Sequence, residues 1–154
     1  MSDKTPVGLD LEQQLDNVLA FITQPDTGGE PAISTDSVEN VLNKALYYLK
    51  NDQPPLAAKW MRLAAMAANQ RAQFYMGLFF IKGQGVPQSV FHGAVWLTLA
   101  SSQGYEPATA ALNDLRKHIS TRRLHDAQSY AAILYEQIHQ QQFAHLIPRE
   151  SDAN

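Results

Sequence analysis

The residues that could hold a metal or move a proton are spaced too widely for a recognisable centre. His92, His118, His125, His139 and His145 include no pair four apart and no His-Glu-x-x-His, the spacings that set two ligands on one helical face. Cysteine is absent, which removes thiolate zinc sites, disulfide staples and cysteine nucleophiles together. His118 and His125 flank an expected turn, and with Asp114 or Asp126 they are the titratable set that a hydrolytic site would draw on. There is no Gly-x-Ser-x-Gly elbow and no Ser-x-x-Lys with its supporting signatures. Gly83-Gln84-Gly85 lacks both the Walker spacing and the third glycine of a dinucleotide loop, and no strand pattern precedes it. The expectation is a chain without catalytic residues, metal or cofactor.

What remains is charge and apolar surface. Residues 1–40 carry eight acids against Lys4 alone, whereas residues 41–154 carry eleven Lys and Arg against seven acids. An acidic leading segment of this kind either folds back on the more basic remainder, docks elsewhere, or is a solvated helix face. The cluster Arg116-Lys117-His118 and Arg122-Arg123-Leu124-His125 would meet that segment, an acidic partner or phosphates. A net charge of −3 and the lack of interleaved aromatic residues argue against nucleic acid. With 154 residues, 45% apolar and 18% charged, the chain has the composition of one globular unit. No run is apolar enough for membrane insertion, and the first residues lack a secretory apolar core, so a cytoplasmic location is expected.

The positioning elements read as helices throughout. Leu9, Leu11, Leu15, Val18, Leu19 and Ile22 recur at helical spacing and predict an amphipathic helix over about 9–23, after which Pro25-Asp26-Thr27-Gly28-Gly29-Glu30-Pro31 breaks the pattern. Ser34-Thr35-Asp36 offers cap oxygens for a helix to about Lys50. Further helices are expected over about 55–69, 71–82, 88–103, 106–118 and 121–142. The domain reading is an acidic segment 1–33, a helical domain 34–142 and a flexible tail 143–154. No window alternates long enough to be a strand, so the fold class is all-α.

A shift of 36 residues superposes Ala58 on Ala94, Trp60 on Trp96, Leu63 on Leu99, Ala64 on Ala100 and Ala72 on Ala108. Small residues at recurring positions admit close helix contact, and one indole per unit fills the gap between successive pairs, as stacked helical hairpins require. Ala72, Met76, Gly77, Phe80, Gly83, Gly85 and Val86, followed by Trp96 and Ala100, resemble the Sel-one-like repeat, a tetratricopeptide-like hairpin. The resemblance spans about 45–142, with Ser89 and His92-Gly93 departing from the family's Asp and Lys-Ala. It implies a short α/α solenoid of about three antiparallel hairpins, with an N-terminal extra helix and the polar helix from Thr121 as the C-terminal cap. It also implies a bacterial-type adaptor or scaffold that takes a segment or helix of another protein in a concave groove, where Lys82, Arg122 and Arg123 on the rim would favour an acidic partner. Relatives with hydrolytic activity on cell-wall-like amides tend to be cysteine-rich, unlike this chain.

Phe74 through Ile81 contains no polar side chain apart from the Tyr75 hydroxyl, more apolar surface than one helical stripe needs. Met76, Gly77 and Phe80 fall on stack positions, leaving Phe74, Tyr75, Leu78 and Phe79 to be covered otherwise. In the resemblance they face the groove, Tyr47 extends their row, and Lys82, Arg122 and Arg123 form a basic rim. Three occupants fit: a partner protein, a second copy in a homodimer, or the chain's own helix 9–23.

Overall fold

The computed structural model describes residues 38–143, with side chains to residue 141. The expected helix 9–23, the linker after it and the tail lie outside the described residues. Within them the chain is helical and contains no strand. It forms α1 (Val38–Lys50), α2 (Pro54–Met66), α3 (Gln70–Lys82), α4 (Val90–Ser102), α5 (Glu106–Leu115) with a short 3-10 turn at Arg116–His118, and α6 (Thr121–Phe143). These bounds fall close to those expected from apolar spacing and punctuation.

The helix starts follow from local chemistry. Asn69 Oδ1 accepts the Ala72 amide at 2.8 Å to open α3, and Ser89 Oγ accepts the His92 amide at 3.1 Å to open α4. Ser120 Oγ does the same for Arg123 at 3.1 Å. α2 and α5 have proline in their first turn instead, where the missing amide hydrogen costs nothing. α3 ends at Gly83, whose φ of 76° lets its amide return to the Phe79 carbonyl.

Consecutive helices pack against one another from α1 through α5, while α6 packs along α4 rather than against α5. Phe91 near the start of α4 meets Tyr130, and Leu99 and Gln103 near its end share a cavity with Ile138 and His139, so α4 and α6 run in the same direction. Trp60 and Trp96 hold the same, seventh, position in two helices of 13 residues. Ala58 and Ala94, Ala64 and Ala100, and Ala72 and Ala108 are buried alike. Trp96 and Leu99 are also buried, yet Trp60 is only half-buried and Leu63 is 48% exposed. Among the described residues α6 packs mainly on α4 and reaches the end of α2 at a groove shared by Leu63, Met66 and Gln141.

Gln73 ties three helices together. Its side-chain amide donates to the Ala65 carbonyl at 3.1 Å and accepts from Gln103 Nε2 at 2.8 Å, which satisfies a fully buried polar group. Lys44 of α1 is 1% exposed, its Nζ 5.4 Å from the Tyr48 ring centre and 5.8 Å from that of Trp60.

Candidate protein-binding surface

The aromatic row expected to line an open groove is buried. Phe79 is fully enclosed, and Phe74, Tyr75 and Leu78 are 7%, 5% and 3% exposed, so these four are corrected from partner anchors to interior residues. All ten residues from Ala72 to Ile81 are buried, the pattern of a central helix covered on every side rather than along one stripe. Phe74 packs on Tyr105 at 5.5 Å, and Arg71 Nε donates to the Tyr75 hydroxyl at 3.0 Å. Burial works to lower the Arg71 pKa, but that hydrogen bond and the fields of Tyr75, Tyr105 and Glu39 outweigh it and raise the value. Burial, with Tyr75 adding to it, pushes the Tyr105 phenol above its usual range against the opposing pull of Arg71. Glu39, Arg71 and Tyr105 thus set the starts of α1, α3 and α5 on one side of the molecule.

The remaining expected residues do not join that row. Tyr47 is half-buried edge-on to Tyr48 at 5.4 Å, and Lys82 is half-buried at the end of α3. Arg122 and Arg123 are exposed in the first turn of α6. His118 and His125 are exposed as well, and among the described residues no group of three His, Asp or Glu is arranged to hold a metal.

A different surface forms where α6 crosses the start of α4. Leu124, Ala127, Ala131, Leu134 and Ile138 supply the buried stripe of α6 at spacings of three and four. Tyr130 and Ile133 lie off that stripe and are 48% and 56% exposed, with Val90 at 38% beside Phe91 on α4. Ser89 Oγ lies 2.8 Å from His92 Nδ1, and the His92 ring stacks on Phe80 at 5.1 Å. The Phe91 ring then meets Tyr130 edge-on at 6.2 Å and carries the Arg123 guanidinium at 5.3 Å. Exposed Arg116, Lys117 and Arg122 stand nearby in sequence, with Asp126 the exposed acid of that first part of α6.

Tyr130 and Ile133 escaped the sequence reading because α6 registers as a polar closing helix. The available signal was their surplus: the 124, 127, 131, 134, 138 stripe is complete without them. On the opposite flank of α6, a groove of about 520 Å³ is lined by Thr98, Ser102, Gln103, Gln128, Tyr135 and Glu136. Within it Thr98 Oγ1 is buried with no hydrogen-bond partner among the described residues. No helix of the described residues is long and apolar enough to cross a membrane. No protein-family model matches this sequence, and no curated protein matches it significantly.

Proposed function

We propose that the chain is a non-catalytic protein-binding module, an array of Sel-one-like helical hairpins whose α4–α6 surface takes an acidic amphipathic segment of a partner protein. The array reading is supported by the equivalent placement of Trp60 and Trp96 and by the shared burial of the alanines 36 residues apart. The binding reading is carried by Arg122 and Arg123. A helix N-terminus disfavours cations; Arg123 is carried by the Phe91 ring, whereas exposed Arg122 in the same first turn works against the helix. Their position is useful to a ligand instead: Arg123 sits over Phe91, which meets Tyr130, so exposed apolar surface adjoins a basic helix start.

The test is titration calorimetry of the full chain with a synthetic amphipathic Leu/Glu helix as probe. Binding is expected to weaken with salt, and Ile133→Asp is expected to cost about tenfold in affinity, about 1.4 kcal/mol. Equal binding by wild type and by an Arg122→Glu, Arg123→Glu variant would overturn the reading. A homodimer in light scattering that dissociates in Ile133→Asp would assign the surface to a second copy.

A further inference from the structure

We infer that the groove between the second half of α4 and α6 is a binding site for a small organic cation, an aliphatic diamine or polyamine. Its volume of about 520 Å³ lies within the range of small-molecule sites. An adjoining cavity of about 230 Å³ shares Gln103 and Tyr135 with it, so the two meet at those side chains.

The hydrogen bonds already made around the groove decide what it can take. Gln73 donates its side-chain amide to the Ala65 carbonyl, which fixes its Oε1 as the acceptor facing Gln103. Gln103 Nε2 then donates both hydrogens, one to Gln73 Oε1 and one to the Leu99 carbonyl, each at 2.8 Å. Its own Oε1 is left as an acceptor. Ser102 Oγ donates its hydrogen to the same Leu99 carbonyl at 2.8 Å, so toward a ligand it too can only accept. Glu136 adds a carboxylate, an acceptor at both oxygens. One turn before Ser102, Thr98 Oγ1 is a hydroxyl with no partner among the described residues. A ligand that fits this lining must bring hydrogens to it.

Charge and shape select among donors. Among the described residues no Lys or Arg lines the groove, so Glu136 sets its sign. Tyr135 is 40% exposed, and its ring is held by stacking on His139 at 5.7 Å, which presents an aromatic wall suited to a cation. Ala131 and Ala132 supply apolar wall for methylene groups. An alkylammonium combines what this lining lacks: N–H donors, a positive charge and a flexible apolar chain. The site is separate from the surface around Tyr130 and Ile133 on the other flank of α6, and either can fail without the other.

Cadaverine is the probe, titrated at fixed ionic strength into the isotope-labelled full chain and followed by NMR. Saturable shifts are expected in the side-chain amides of Gln103 and Gln128 and in the backbone amides around Tyr135, with the amides of α1 unmoved. Glu136→Gln is expected to weaken binding about tenfold, through loss of a charge-assisted contact. Asp126→Asn makes the same change of charge about 15 Å away along α6 and is expected to leave binding intact. Both side chains are exposed, so neither substitution disturbs the core. Equal weakening by the two variants would reduce the effect to net charge and overturn the site. Pentanediol, the uncharged analogue of the same chain length, is expected to leave the spectrum unchanged, and comparable binding by it would overturn the assignment to a cation. Shifts that do not saturate, or that centre on other helices, would overturn the proposal as well.

Discussion

Gly77 and Gly93 face each other across the α3–α4 contact: a Cβ added to Gly77 would lie 3.2 Å from the Gly93 carbonyl oxygen, and one on Gly93 would lie 3.1 Å from that of Gly77. Gly93 would also place its Cβ 2.4 Å from Ile81 Cγ1. Glycine inside a helix costs about 0.5–1 kcal/mol relative to alanine, so Gly93 reads from sequence as a weakness. The close approach gives it a use. Gly93→Ala should destabilise by about 1–2 kcal/mol net, overpacking exceeding the gain in helix propensity, as read from the urea midpoint. Gly77→Ala combined with it should be non-additive, because both substitutions push on one contact.

Gly85 and Gly104 both have positive φ, 75° and 90°, yet only one is crowded. A Cβ at Gly85 would collide with the Pro54 carbonyl oxygen, whereas among the described residues nothing lies within 4 Å of one at Gly104. Gly104→Ala is expected to cost about 1–2 kcal/mol, the penalty of left-handed backbone alone. Gly85→Ala should cost clearly more, since the loop after α3 must also withdraw from the start of α2. Thermal denaturation of the two variants side by side checks the order.

The helices were legible in the sequence because apolar spacing and Pro, Gly, Ser or Asn punctuation act within a few residues of each position. Gly77 was expected as a stack position from the hairpin pattern that residues 72–86 resemble, and it does face Gly93 across a close helix contact. What escaped was set by helices distant in the chain. The burial of Tyr75 and Phe79 depends on what covers α3, and local pattern contains no record of that. The exposure of Tyr130 and Ile133 depends on which side of α6 meets α4, and a complete stripe at 124, 127, 131, 134 and 138 hid the surplus. Lys44 is the sharpest case: a lysine on an otherwise apolar stripe reads as a solvated edge, yet it is buried beside Tyr48 and Trp60.

Thr98 Oγ1 is buried without a partner among the described residues, and a hydroxyl in that state carries a desolvation penalty of about 1–3 kcal/mol. Thr98→Val keeps the shape and removes the penalty. The variant is expected to gain about 1 kcal/mol in chemical denaturation, and a loss of stability would mean the hydroxyl is satisfied in solution.

Tyr105 makes the fold sensitive to alkali. Burial, with Tyr75 beside it, raises its pKa, so the folded state favours the neutral phenol more than the unfolded chain does. The stabilisation is fully present below about pH 10, the ordinary phenol value, and is lost as pH rises through the higher folded value. Urea midpoints should therefore fall above about pH 10, and Tyr105→Phe should flatten that decline. An identical alkaline decline in wild type and Tyr105→Phe would remove Tyr105 as the cause.

The two tryptophans separate the repeat from its surroundings. Trp60 and Trp96 occupy equivalent positions in α2 and α4, so an array of hairpins built only from internal repeats would make their truncation equally costly. Among the described residues α6 packs mainly on α4, and Trp96 is 3% exposed while Trp60 remains half-buried over Lys44. Trp96→Ala should cost about 3–5 kcal/mol, the range for a fully buried large aromatic. Trp60→Ala should cost less, because part of the indole already faces solvent and only the covered part leaves a cavity. Equal losses in calorimetric unfolding would mean that the outer side of α2 is covered in solution by something other than the helices of residues 38–143.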